Sequence, residues 1–370
     1  MNHNPVRVLH VVANLNIGGL ENFLMNLYRN VNRNKIQFDF VKHTNRKSEF
    51  DQEVLEMGGK IYCCPDFDLK NMYAFIIWWK KFYQNHPEYK MIHGHVRSTA
   101  FIYLYFAKKN KRIAIIHSHS TSNGIGGKGI VKNMLQYPVR NIADYFFACS
   151  TEAGQWMFGK EISQKRNFKV IHNGIDFNRF MYDREKRKHL REKYHLKDVI
   201  VIGHTGNFTG AKNHKILLKI FQEVRMIRKN TKLLLVGKGD IRSVVTDEIE
   251  KSIFQDVICV GGRRNVEDYY LMMDVFVFPS LWEGLGMAVI EAQAMGLYCI
   301  VSDCVPRAAD FGQNKVGFLS LDLSPRIWAE EIIKIIDKKS ESSRDSCSNS
   351  IYDIRSIAKM MEKFYVSGCI

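Results

Sequence analysis

Apolar residues fall into two alternating rhythms along the chain. Short unbroken runs recur at Val6 to Val12, Phe38 to Val41, Lys60 to Tyr62, Met91 to His93, Ile113 to His117 and Tyr145 to Ala148. Between them lie longer stretches with helical spacing, beginning with Glu21 to Tyr28 after a Gly18-Gly19 turn. The short runs predict buried strands, the helical spacing predicts helices packed on them, and the alternation implies a parallel sheet. A helical stretch follows Ser150, then Lys169-Val170-Ile171, an Asn173-Gly174 turn, and a densely charged segment from Asp183 to Lys197 that reads as the hinge.

The alternation restarts with Val199 to Gly203, Lys232 to Val236, Val257 to Val260, Val275 to Phe278 and Tyr298 to Ser302, which predicts a second doubly wound domain. The polar stretch from Lys338 to Ser350 reads as an exposed loop before a last amphipathic helix. The expected organisation is therefore a first Rossmann-like domain over residues 1–180, a second over 181–350, and a terminal helix over 351–370 packing back on the first. Open parallel sheets bind ligands at the carboxyl ends of their strands, so two facing sheets would place the site in a central cleft.

Composition narrows the class without naming the chemistry. The 370 residues are 46% apolar and 25% charged, which allows two substantial cores and excludes a disordered or fibrous chain. No apolar run reaches the roughly 18 residues a membrane span needs, the nearest being Ala74 to Trp79 and Phe101 to Ala107. Met1 to Pro5 carry no basic leader, so a cytoplasmic protein is expected. Eight cysteines, at 63, 64, 149, 259, 299, 304, 347 and 369, lack zinc or disulfide spacing and read as reduced thiols, mostly core filler.

Charge points to anionic partners. The net charge is +16, and residues 1–180 hold 25 Lys and Arg against 13 Asp and Glu. Such an excess attracts nucleic acid, anionic lipid or phosphorylated substrates. No nucleic-acid reader motif accompanies it, so nucleic acid is not expected. Aromatic and basic residues mix from Tyr73 to Tyr83, with Lys108, Lys109, Lys111 and Arg112 further on, which suits peripheral association with an anionic membrane on the inner face of the cell membrane.

The most informative segment runs from Phe278 to Gly296, a strand, a loop and a helix. Glu283 stands in the loop and Glu291 in the helix, two carboxylates able to accept from sugar and ribose hydroxyls. Gly284, Leu285 and Gly286 leave backbone N–H groups free at the helix start, next to Met287, where the dipole favours phosphate. A second strand end, Gly203 to His214, carries Lys212, a cation suited to a leaving diphosphate. Gly18 and Gly19 open another loop that backbone-bound phosphates could approach. Two histidines, His95 and His119, end first-domain strands, where an imidazole can hydrogen-bond a reacting sugar. Asp66-Phe67-Asp68 has the form of a metal motif but lies in an early loop away from the two glutamates. It is rejected, and no other cluster has metal-ligand spacing, so no metal or cofactor is expected.

Pro279-Ser280-Leu281-Trp282-Glu283-Gly284-Leu285-Gly286, followed by Glu291-Ala292-Gln293-Ala294-Met295-Gly296, closely resembles the signature of family 4 glycosyltransferases. The resemblance extends to Gly18-Gly19-Leu20-Glu21 and to Ile171 to Asp176, and covers most of the chain. It implies the two-domain GT-B fold and a retaining, metal-independent transfer of a hexose-type sugar. The donor it implies is a nucleotide diphosphate, UDP by family habit. The acceptor it implies is a glycan or a polyprenyl-linked sugar of surface polysaccharide synthesis. It also implies that Glu283 contacts the transferred sugar, Glu291 holds the ribose, backbone near Gly286 and Met287 meets the diphosphate, Lys212 neutralises it, and His119 is the site histidine. Asn207 departs from the pattern, standing where the family has an arginine and supplying no charge. Two other classes compete. One is an epimerase or hydrolase of the same fold, which needs further acid and base residues. The other is a non-enzymatic basic binding protein, which leaves the Glu283 segment unexplained.

Overall fold

Every strand described pairs in parallel with its neighbours. The computed structural model describes residues 4–121, 133–240, 251–338, 344, 346, 348 and 351–368. The chain divides into two units, residues 1–176 with 350–370 and residues 177–349.

The first unit holds seven strands: β1 (Val6–Val12), β2 (Ile36–Lys42), β3 (Ile61–Cys63), β4 (Met91–Gly94), β5 (Ile113–Ser118), β6 (Tyr145–Ala148) and β7 (Phe168–Val170). Their order, β3-β2-β1-β4-β5-β6-β7, reverses direction at β1 and β4. Such a reversal opens a crevice at the carboxyl ends of the two strands. Among the described residues, the helices between the strands include α1 (Gly19–Asn30), α2 (Asp51–Glu56), α3 (Met72–Asn85), α4 (Ala100–Lys109) and α5 (Thr151–Phe158). Successive strand side chains point to opposite faces, so β1 feeds two cores. Val8 and Val12 pack with Phe23, Leu27 and Tyr28 of α1. Leu9 and Val11 pack with Phe75, Trp79 and Phe82 of α3 and Tyr103 of α4.

The chain's last helix, Ile354–Ser367, belongs to this first unit. Ile354, Ile357, Met361, Phe364 and Tyr365 join the α1 core. Asp353 caps the helix through its side chain. A parallel bridge between Ile175 and Asp353 ties its start to the end of the unit's main run.

The aromatic segment proposed for a membrane surface is mostly core. Phe75, Trp79, Phe82 and Tyr83 are buried, Trp79 completely, because they recur on one face of α3. Arg112 is likewise directed inward, donating to the carbonyls of Tyr89, Tyr83 and His86 at 2.8 Å each. Among the described residues, no helix is long and apolar enough to cross a membrane.

The second unit holds β8 (Ile200–Thr205), β9 (Thr231–Val236), β10 (Val257–Cys259), β11 (Val275–Phe278), β12 (Tyr298–Ser302) and β13 (Val316–Leu319), in the order β10-β9-β8-β11-β12-β13. Its switch point lies between β8 and β11. The short glycine-containing strand β13 was not foreseen from the apolar pattern. Its helices among the described residues are α6 (Arg184–Lys193), α7 (His214–Ile227), α8 (Val266–Met272), α9 (Met287–Ala294) and α10 (Pro325–Lys338).

The charged segment read as a hinge is a correction. It forms α6 inside the second unit, capped by Asp183 accepting from the Lys186 N–H at 2.9 Å. Arg187 and Arg191 are buried and both bind Asp274, at 2.5 and 3.1 Å. Burial opposes ionisation of Asp274, but the two guanidiniums outweigh it and hold its carboxyl below the usual range. The polar stretch 338–350 is also not simply exposed. Most of it lies outside the described residues, yet Arg344 is buried, donating to the carbonyls of Tyr270 and Met273 at 2.7 Å and Met295 at 3.1 Å. Of the six described cysteines, none in a disulfide, Cys64, Cys149 and Cys299 are buried, whereas Cys63, Cys259 and Cys304 are exposed rather than core filler.

Candidate functional site

In the second unit, the ends of β8 and β11 deliver the candidate residues. After β8 the chain turns through Gly206 and Asn207 into a short 3-10 turn, Gly210–Lys212, before α7. After β11 it passes Pro279 and Ser280 into the glutamate loop and then α9. The two loops are tied together, Leu281 N–H donating to Ala211 O at 2.8 Å.

That tie brings Lys212 to Glu283. Lys212 Nζ lies 2.6 Å from Glu283 Oε1, with side-chain exposures of 21% and 12%. The ammonium also stands 4.6 Å from the Phe278 ring centroid, and its stem runs beside Gly206, where a Cβ would meet it at 3.1 Å. A cation and a carboxylate at this depth offset each other's charge.

Gly286 precedes α9 in the left-handed region, φ 88°, a conformation that disfavours any side chain. It starts the eight-residue helix so that the first backbone N–H groups, from Met287 on, have no intrahelical acceptor. Leu285 and Gly284 are both buried.

Glu291 sits one turn into α9 and accepts from Tyr270 Oη at 2.9 Å. Burial pushes its carboxyl up to about 7 despite that bond. Tyr270, on α8, carries no local signal of this role in the sequence. Asn207 is exposed and accepts the Lys238 N–H at 2.9 Å, so its side chain braces the neighbouring strand end.

In the first unit, Gly18 is the extended residue before α1 and Gly19 is its first residue. Glu21 turns back towards them, its Oε2 2.5 Å from where a Cβ on Gly18 would stand. Burial pushes the Glu21 carboxyl up to about 7. A phosphate approaching this helix start would be accommodated with Glu21 protonated, since two anions there repel.

His119, just past β5, has both ring nitrogens engaged. Nε2 lies 3.0 Å from His95 Nδ1, and Nδ1 lies 3.3 Å from Asn173 Oδ1. Burial drives its pKa down to about 3, so the ring is neutral near pH 7. Asn173 was visible only as part of a turn. Asp68, of the rejected metal motif, stands before a 3-10 turn, its N–H donating to Asn71 Oδ1 at 2.9 Å.

The structure thus joins Lys212 with Glu283, places Gly284, Gly286, Met287 and Glu291 on the same loop and helix, and groups His119 with His95 in the other unit.

Comparison with known proteins adds the following. A model of glycosyl transferases group 1 matches residues 185–353, and one of glycosyltransferase family 4 matches residues 17–179. The glycosyltransferase-family protein EpsF of Bacillus subtilis (strain 168) is 32% identical over 342 residues, covering 90% of this chain and 88% of its own. An Escherichia coli UDP-Gal:alpha-D-GlcNAc-diphosphoundecaprenol alpha-1,3-galactosyltransferase is 24% identical over 310 residues, 71% of this chain and 77% of its own. The crystal structure of Anabaena Alr3699/HepE with UDP and glucose superposes with a TM-score of 0.75 at 17% identity, covering 97% of this chain and 99% of that one.

Proposed function

Because the chain belongs to the group 1 glycosyltransferases of family 4, we propose that it is a retaining, metal-independent hexosyltransferase that takes its sugar from UDP. The acceptor is a glycan or a polyprenyl-linked sugar of surface polysaccharide synthesis. The carrying observation is the Lys212 to Glu283 pair at the joined ends of β8 and β11.

In this reading the ribose hydroxyls donate to Glu291, ionised once they bind. The diphosphate lies at the start of α9, against the backbone N–H groups of Gly286 and Met287. Lys212 turns from Glu283 to the diphosphate, offsetting the charge that develops as the glycosidic bond breaks. Glu283, released, accepts from hydroxyls of the sugar. Neutral His119 contributes a hydrogen bond rather than a proton, and Gly18 and Gly19 let a loop approach the phosphates. The E. coli relative's diphosphoundecaprenol substrate and the UDP in the HepE structure support this choice of acceptor and donor. Exposed Tyr73 and Tyr105, with Lys108, Lys109 and Lys111, support peripheral contact with an anionic membrane from the cytoplasmic side.

A thermal-shift screen of sugar nucleotides tests the donor, because a ligand binding only the folded state raises the apparent melting temperature. The bound donor is then incubated with lipid-linked and free glycan acceptors, and the anomeric configuration of the product is read by NMR. Stabilisation by UDP-sugars and a product of retained configuration are expected. Stabilisation by no uridine nucleotide, or an inverted product, overturns the reading.

A further inference from the structure

Five histidines line one face of three adjacent strands in the first unit: His10 on β1, His93 and His95 on and after β4, His117 and His119 on and after β5. Strands β4 and β5 pair in register, His93 opposite Ile115 and Gly94 opposite Ile116, so the next step sets His95 opposite His117. The strand period of two then gives two His-x-His pairs on adjoining strands, facing the same way. His-x-His on a strand sets both rings on one face, a spacing able to supply two ligands to one ion.

We propose that His95, His117 and His119 form a binding site for a transition-metal ion of the zinc class. One ligand nitrogen from each lies within 4.8 Å of the others. The remaining ring nitrogens of two of them are already oriented from behind. His119 Nδ1 faces Asn173 Oδ1 at 3.3 Å, and His95 Nε2 faces His10 Nδ1 at 3.1 Å. Metal-bound histidines are characteristically held in this way by a hydrogen bond on the other nitrogen. It leaves His119 Nε2 and His95 Nδ1 directed at each other, 3.0 Å apart. Two nitrogens on a tetrahedral zinc at about 2.0–2.1 Å are roughly 3.3 Å apart, so the pair opens by only a few tenths of an ångström.

His117 supplies the third nitrogen. Its ring meets the backbone of Ile171, which leaves a nitrogen for a ligand, and His10 Nε2 and His93 Nε2 in the same cluster are buried without a hydrogen-bond partner. Such atoms are unusual, since buried polar groups are nearly always satisfied by protein, water or an ion. Burial lowers the pKa of all five rings, which keeps their lone pairs free of protons. Metal entry moves the ring proton of His95 to Nε2 and that of His10 to its own Nε2, with none released from either. The half-buried His119 stands at the exposed end and gives a path in. Arg97, whose charge bears on His119, favours hydroxide or another anion in the fourth position. An occupied site takes the His119 Nε2 while Asn173 holds Nδ1, so it replaces the hydrogen bond the transfer reading gives to this ring; failure of the metal site leaves the rest of that reading intact.

The test uses untagged full-length protein stripped with a chelator and titrated with Co²⁺, then Zn²⁺. Expected are the strong visible bands of four-coordinate cobalt, saturating at one equivalent and bleached by zinc. His117→Gln loses them, and His93→Gln, in the same column but outside the three, keeps them, with folding checked by circular dichroism. Faint six-coordinate absorption and zinc far below one ion per chain overturn the proposal and leave the nitrogens to buried water. Loss in both variants with the fold intact, or retention in His117→Gln, overturns the assignment to these three residues. Should a variant fail to fold, the wild-type titration decides by itself.

Discussion

Glu291 should make donor binding depend on pH in a direction fixed by its burial. Its carboxyl titrates near 7 in the free protein because desolvation disfavours the charge. Ribose hydroxyls donate best to the ionised form, so donor binding competes with protonation. At about pH 5.5 only about one site in thirty is ionised, which weakens apparent affinity about 30-fold relative to high pH, or about 2 kcal/mol at 1.36 kcal/mol per pKa unit. Stability runs the opposite way. A carboxyl raised from about 4.5 to about 7 stabilises the folded state below pH 4.5, and that contribution is lost as pH rises through 7. Isothermal titration with a UDP-sugar from about pH 5.5 to 8 reads the effect. A UDP-sugar is preferable to free UDP, whose terminal phosphate itself titrates near 6. Proton release on binding near pH 6 is also expected, visible as a dependence of the heat on the buffer. Glu291→Gln should bind weakly at every pH and show no slope in this range. Affinity that is flat with pH in wild type, or an unchanged slope in Glu291→Gln, refutes the reasoning.

Glu283→Gln should cut transfer sharply while free UDP binds nearly as before, because this side chain is assigned to the sugar; an equal loss of UDP affinity speaks against the division. UDP affinity should be unchanged by EDTA if, as proposed, Lys212 and backbone N–H groups offset the diphosphate charge; a large loss restored by manganese reverses this. Asn207→Arg removes the acceptor of the Lys238 N–H, which should lower stability by about 1 kcal/mol while a guanidinium tightens the diphosphate; unchanged or weaker UDP binding contradicts the second half. Arg344→Ala removes the donor to Met295 O and one of two donors to Tyr270 O and Met273 O, which keep the Met273 N–H and Arg187, and should destabilise the second unit by about 1–3 kcal/mol, read by denaturant unfolding; a loss within about 0.5 kcal/mol shows that the remaining partners suffice.

Errors in reading the chain share one cause. The charged run around Asp183 to Lys197 looks like solvent-exposed hinge because charge is normally exposed. It folds as α6 with two arginines buried because Asp274, more than 80 residues away, supplies the counter-charge. The aromatic face of α3 reads equally well as membrane belt or core, and only the neighbouring β1 and α4 turn it inward. Cys63, Cys259 and Cys304 lie at the exposed margins of strands, which composition cannot distinguish from buried ones.

From the sequence alone came the parallel α/β class with its two doubly wound halves, and the loop from Glu283 to Met287 as the candidate site. These are local properties. Strand and helix periods, glycines at turns and the motif from Phe278 to Gly296 are each written within a few successive residues. Which side chains meet was decided only in three dimensions. Lys212 with Glu283, Tyr270 with Glu291, Asn173 with His119, and the stacked histidines of three strands are separated by 21 to 85 residues along the chain. Nothing in their local spacing records these contacts, because they arise from strand order and register. Parallel strands joined through helices bring the carboxyl ends of distant segments to one edge, and the ionisation of Glu291 and His119 follows from the burial that this assembly imposes.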